Sequence, residues 1–192
     1  MIVNQHPVGV ASDWVKRWSH LIAAGGTVLD VACGQGRHVR WFCASHHPVV
    51  GLDRAQDALD SLADLVASGQ AQTLLADIEN EPWPLMNGQY PRQFEAVVVT
   101  NYLWRPLLPT LLASLAPGGV LIYETFASGN ESVGKPSRPD FLLQTGELLR
   151  VCALLRVVAF EEGFTEAPTR FVQRVVAVRA LEQSGLPARY PL

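Results

Sequence analysis

Asp30, Gly34, Gly36, Asp53 and Asp77 are the residues whose types and spacing could build a binding edge. The run Asp30-Val-Ala-Cys-Gly-Gln-Gly36 separates a short apolar stretch from a segment with helical periodicity. In an open parallel sheet, that strand-to-helix junction is where nucleotide-like ligands bind. Glycine suits the junction because a side chain would hold a ligand away from the backbone. Asp53 ends a second apolar run and Asp77 closes a third. Taken singly, each acid has a commoner role in a turn or helix cap. Together they stand at successive strand ends and point to one edge of the sheet.

The spacing argues for a nucleoside ligand that lacks phosphate. A dinucleotide loop, G-x-G-x-x-G, would need its third glycine at position 39, which is Val39. A nicotinamide-dependent dehydrogenase is disfavoured on that ground. S-Adenosylmethionine has no phosphate and fits the acids better. Its ribose diol can donate bidentately to Asp53 and its adenine amine to Asp77. Its ammonium and sulfonium favour an acidic, carbonyl-lined pocket around Asp30.

The elements that must position these groups follow from hydrophobic period. Ala11 to Ile22 reads as a helix with Trp14 and Trp18 on its core face, capped by Ser12 or Asp13. Thr27–Cys33, Val49–Asp53, Ala71–Ala76, Phe94–Thr100 and Val120–Phe126 read as buried strands. Between them lie helices to about Ala44, from Ala55 to Ser68 and from about Pro106 to Ala116, the last stopped by Pro117-Gly118-Gly119. Pro82-Trp-Pro84 and Asn87-Gly88 read as an irregular connection, and Ala127 to Pro139 as a mobile loop. A short helix from Gly146 to Cys152, capped by Thr145, precedes strands Leu155–Glu161 and Phe171–Arg179. The turn between those two strands suits an antiparallel hairpin. The expectation is a single α/β domain over residues 1–192, a doubly wound sandwich with a mostly parallel sheet.

Composition narrows the partners. The 192 residues are 48% hydrophobic and 17% charged, with a formal charge of -3, and no run of lysines and arginines stands out. Nucleic acid is therefore not the expected partner. No apolar run approaches the ~20 residues of a membrane span, and no basic leader precedes an apolar stretch. Cys33, Cys43 and Cys152 match neither a zinc pattern nor a disulfide framework. A reduced, cytoplasmic setting is the expectation. His46-His47 has no third ligand at metal spacing, so no metal is expected.

Val28-Leu-Asp-Val-Ala-Cys-Gly-Gln-Gly36 resembles the first motif of class I S-adenosylmethionine-dependent methyltransferases. Val50-Gly-Leu-Asp53 resembles their second and Ala76-Asp-Ile78 their third. Phe94 to Asn101 and Leu115 to Ile122 resemble the fourth strand and the corner into the fifth. Within the superfamily, the small size is similar to the tellurite-resistance and small-molecule group. The resemblance implies a seven-stranded sheet with its last strand reversed. It also implies that Gly34, with its neighbours Ala32 and Cys33, contacts the methionine part, Asp53 the ribose, and Asp77 with Ile78 the adenine. Thr100 and Asn101 would lie beside the sulfonium. Ala32 stands where the family usually has its first glycine, and Arg54 where an apolar residue beside adenine is commoner.

The acceptor side is less marked. Asn101-Tyr-Leu-Trp-Arg-Pro106 follows the fourth strand, so Tyr102 and Arg105 are candidates to face an acceptor, Arg105 an anionic one. Aromatic cover over the cofactor and a helix-start role are equal alternatives for them. His38 reads as a helix-surface residue, Glu124 as a polar wall of the pocket, and the loop carrying Lys135 and Arg138 as a gate. The expected function is methyl transfer to a small molecule by in-line displacement. The alternative is a non-catalytic module that binds the cofactor as a sensor or partner subunit.

Overall fold

The computed structural model describes residues 9–181 and 188–192. Seven strands form one sheet: β1 (Val28–Val31), β2 (Val49–Asp53), β3 (Ala71–Leu75), β4 (Phe94–Thr100), β5 (Leu115–Phe126), β6 (Arg156–Glu166) and β7 (Thr169–Val178). Their spatial order is β3-β2-β1-β4-β5-β7-β6. Strands β1 to β5 are parallel, while β7 runs antiparallel to both of its neighbours. This is the expected doubly wound α/β sandwich with its last strand reversed. The chain leaves β1 in one direction and returns to β4 on the other side, so a crevice opens beyond the carboxyl ends of these two strands.

Strict alternation divides the sheet residues between two cores. Leu29, Val31, Val97, Val99, Leu121 and Tyr123 pack on one face. Val28, Ala96, Val98, Val120 and Ile122 pack on the other, against Trp14, Trp18, Val39 and Phe42. Burial on both faces is why β1 and β4 read as continuous apolar runs.

The helices are α1 (Asp13–Trp18), α2 (Arg37–Ala44), α3 (Gln56–Asp60), α4 (Ala63–Ala67), α5 (Leu108–Ala113) and α6 (Glu147–Val151). Ser12 caps α1 as expected, its Oγ accepting the Trp14 N–H at 3.2 Å. Trp14 and Trp18 are core residues in edge contact. The single helix expected over Ala55–Ser68 is instead two. Leu62 leaves helical geometry between them and is fully buried against Gly36, so tertiary packing overrides the local pattern.

Other boundaries also differ. Helix α5 ends at Ala113, and Pro117-Gly118-Gly119 lies within β5, where its register with β4 slips. Residues expected to be irregular form a two-stranded ladder, Met86–Asn87 with Tyr90–Pro91. Thr145 does not cap α6; Gly146 occupies the cap position and donates its N–H to Glu162 Oε2 at 2.9 Å. The segment after β5 is anchored rather than free. Buried Asn130 donates through Nδ2 to the Pro136 carbonyl, and its Oδ1 accepts the Phe171 N–H. The three cysteines are buried and free. No helix among the described residues is long and apolar enough to cross a membrane.

Candidate functional site

Three adjoining hollows line the carboxyl edge of the parallel strands. The first, about 230 Å³, is bounded by Ala32, Asp53, Arg54, Asp77, Ile78 and Tyr102. The second, about 290 Å³, is bounded by Ala32, Cys33, Gly34, Arg37, Thr100 and Asn101. The third, about 470 Å³, opens toward the β6–β7 turn and is bounded by Trp14, Arg37, Asn101, Glu124, Arg170 and Arg174. Ala32 is common to the first two hollows, and Arg37 and Asn101 to the last two. The result is one continuous trough.

The glycine turn is built by contacts from β2 and the segment after it. Gly34 donates its N–H to Asp53 Oδ2 at 2.7 Å, and Ala55 donates to Asp53 Oδ1 at 2.9 Å. A methyl group built on Gly36 would run into the Leu62 side chain, so this glycine serves packing. One built on Gly34 would meet nothing within 4 Å. The empty space beside Gly34 belongs to the trough, which makes this turn a cradle a ligand can enter. Ala32 and Asn101, just past the ends of β1 and β4, have φ of 53° and 54°. A non-glycine residue in this region costs about 1–2 kcal/mol. Glycine would meet that backbone at Ala32 without the cost.

Asp77 is fixed by its own neighbours. Asn80 Nδ2 donates to its Oδ2 at 2.9 Å and the Glu79 N–H to its Oδ1 at 3.2 Å. These bonds hold the carboxyl below its usual pKa. Ile78 and Arg54 border the same hollow. Tyr102 covers this hollow rather than the third, and burial pushes its phenol well above the ordinary range. Cys33 is buried in the second hollow's wall; burial, then the charges of Asp30 and Asp53, drives its thiol strongly upward. A thiol in that state is an apolar wall, not a nucleophile.

Asp30 lies beneath the turn with 1% exposure, and its Oδ2 accepts no hydrogen bond. Burial raises its pKa to about 7, with Arg37 opposing and Asp53 adding to the shift. His38 is not on the surface, as expected from sequence, but equally buried. The Ser12 N–H donates to its Nε2 at 3.2 Å, so the neutral ring carries its proton on Nδ1. That Nδ1 stands 3.5 Å from Thr100 Oγ1 and 3.9 Å from Asp30 Oδ2. Burial lowers the His38 pKa to about 3 while it raises that of Asp30. His38 is therefore neutral, and the two do not form an ion pair.

Arg105, a candidate for the acceptor side, borders none of the three hollows. Its guanidinium donates from Nε and Nη2 to Glu147 and from Nη1 and Nη2 to the carbonyls of Asp140 and Leu142. It clamps the turn before α5 to the segment entering α6. Lys135 and Arg138 border none of the three hollows; Arg138 pairs with Asp140 and stacks on Phe141. The third hollow is instead walled by the β6–β7 turn, including Pro168 and Arg170. Glu124 is the polar wall expected. It is 1% exposed, accepts from Ser12 Oγ at 2.9 Å, and stands 3.3 and 2.6 Å from the guanidiniums of Arg170 and Arg174. Arg37, Arg170 and Arg174 were not legible as site residues, because the last two join the edge only through the reversed strand. His38 had one signal: it stands four residues before Phe42, on the same helical face.

Known proteins show the same organisation. The family described as Methyltransferase domain matches residues 28–119. The tRNA U34 carboxymethyltransferase of Klebsiella pneumoniae is 32% identical, over 63% of this chain. The match spans 38% of that relative's length. Among solved structures, TehB from Haemophilus influenzae superposes with a TM-score of 0.69 at 18% identity, covering 88% of this chain and 62% of that one. An S-adenosylmethionine-dependent methyltransferase from Mesorhizobium loti gives 0.64 at 18% identity, covering 85% and 97%. Over residues 28–119 the chain is similar to that methyltransferase domain, and its fold is similar to those of the solved S-adenosylmethionine-dependent methyltransferases.

Proposed function

We propose that this chain transfers a methyl group from S-adenosylmethionine to a small-molecule acceptor held in the third hollow. The continuity of the three hollows carries this reading. Adenosine fits the hollow of Asp53 and Asp77, the methionine part fits the cradle at Gly34, and the acceptor approaches past Arg37 and Asn101. When bound, the cofactor supplies an activated methyl group that leaves sulfur as a nucleophile attacks in line.

The chain's own residues bind and align. Each Asp53 oxygen already accepts one backbone N–H, and a carboxylate retains further lone pairs for two ribose hydroxyls. Asp30, whose Oδ2 has no donor, is buried beneath the cradle and borders none of the hollows, so it would act on a cationic ligand head through its charge from below. Ala32 and Asn101 bring the ends of β1 and β4 to either side of the methionine hollow, fixing the geometry on which in-line transfer depends.

Two other readings have their own support. The identity with a tRNA-modifying relative favours a nucleic-acid acceptor, against the chain's charge of -3. A cofactor-binding module without turnover would use the same cofactor contacts. One experiment separates all three. Isothermal titration with S-adenosylhomocysteine is followed by transfer from methyl-labelled cofactor to small-molecule fractions and to total tRNA. Label in small molecules supports the proposal, label in tRNA replaces it, and binding with no transfer to either assigns a module.

A further inference from the structure

We infer that the third hollow contains an anchoring site for a carboxylate, so that the acceptor is a monoanionic organic molecule with an apolar body. The inference rests on the methyl-transfer reading and names the chemistry of its acceptor.

The charges on the hollow do not cancel. Arg174 is matched on two sides, its Nε standing 2.6 Å from Glu124 and its Nη1 donating to Glu161 at 3.1 Å. Arg170 shares Glu124 at 3.3 Å and donates to Asn101 Oδ1 at 3.2 Å. At the rim, exposed Asp13 is paired with Lys16. Glu124 and Glu161 face Arg170 and Arg174, with exposed Arg17 sharing Glu161 from outside the hollow at 3.8 Å, which leaves Arg37 as the arginine on the hollow with no acidic partner there. Among the described residues its guanidinium makes one side-chain hydrogen bond, from Nη2 to Thr100 Oγ1 at 3.3 Å. Asp30 lies within Coulombic reach of Arg37, but it is buried beneath the turn, borders none of the hollows and accepts no hydrogen bond from the guanidinium.

A second observation points the same way. Arg170 Nε is buried and has no acceptor, whereas Arg174 Nε, without a geometrically formed hydrogen bond of its own, lies at ion-pair distance from Glu124. A buried donor left unpaired is costly, and guanidinium is the group that best grips a carboxylate. Both arginines border the hollow, with Asn101 beside them. One unbalanced charge suits a monoanion better than a dianionic phosphate. Trp14, Phe126 and Pro168 supply apolar wall, and about 470 Å³ suits a small organic molecule.

The test uses the full chain saturated with S-adenosylhomocysteine, with phenylacetate, phenylacetamide and phenyl phosphate titrated separately and followed by amide chemical shifts. Phenylacetate is expected to bind about tenfold tighter than its neutral amide, and tighter than the phosphate. Arg37→Gln and Arg170→Gln should each remove about tenfold of phenylacetate affinity and leave the amide within about twofold. Affinity for S-adenosylhomocysteine should hold in Arg170→Gln, since that residue borders only the third hollow. If the loss of Arg170 alone prevents folding, Arg170→Gln with Glu124→Gln removes both charges together and should still lose the preference for the acid. Equal binding of acid and amide, or tighter binding of phenyl phosphate, overturns the inference while the cofactor reading stands. Failure of the wild-type chain to bind S-adenosylhomocysteine overturns both.

Discussion

The Asp53 carboxylate holds the Gly34 amide at 2.7 Å, tying the end of one strand to the glycine turn that follows its neighbour. One acid thereby shapes the cradle and borders the first hollow, in which the proposal seats adenosine. Asp53→Ala should weaken S-adenosylhomocysteine binding by about 1.5–3 kcal/mol, the worth of hydrogen bonds to a charged group. Calorimetry on the folded variant measures this, and unchanged affinity would remove Asp53 from the site.

Gly34 and Gly36 should fail in different ways. Gly36→Ala drives a methyl group into Leu62 and also strains a φ of 75°, so it should lower stability by about 1–3 kcal/mol in denaturant unfolding. Gly34→Ala carries a similar backbone strain at a φ of 53° but meets no protein atom, so its methyl projects into the trough and its distinguishing loss should be in cofactor affinity. Equal stability losses without an affinity difference would contradict the assignment of the empty space.

Asp30 gives cofactor binding a pH dependence of definite sign. Its pKa of about 7 in the free protein means that acidification protonates it, and a cationic ligand prefers the carboxylate. Affinity for S-adenosylmethionine should rise between about pH 6 and 8, by at most about tenfold per pH unit, with proton release on binding. Asp30→Asn should flatten the profile. The same raised pKa works against the free protein: the contribution of Asp30 to stability falls as pH climbs from its unfolded value of 3.8 toward 7. Titration in buffers of different ionisation enthalpy counts the protons; none released near pH 6 would contradict the role given to Asp30.

Arg105→Ala should act on stability first. Its hydrogen bonds to Glu147 and two carbonyls join separate segments, so the loss should be about 1–3 kcal/mol in unfolding experiments. A variant of full stability with a selective loss of acceptor binding would return Arg105 to the acceptor side.

The sequence made the sheet and its cofactor edge readable because both rest on local signals. Strand β2 and strand β4 occupy the expected residues, since short runs buried on both faces leave little freedom in where they begin and end. Asp53 and Asp77 were legible because a parallel sheet puts all its strand ends on one side. The helix break at Leu62 was not, because its cause is a glycine on another element, Gly36. The residues of the third hollow were not legible for a similar reason. Arg105 sits beside the site in sequence yet points to α6, whereas Arg170 is distant in sequence and arrives beside Asn101 through the hairpin.

A crystal structure with S-adenosylhomocysteine bound is the most direct measurement. Its ribose hydroxyls should lie within hydrogen-bond distance of Asp53, its adenine beside Ile78 and Tyr102, and its homocysteine along Gly34, with sulfur facing the Arg37–Asn101 opening. A nucleoside seated anywhere else on the chain, or a sulfur turned away from that opening, would contradict the account.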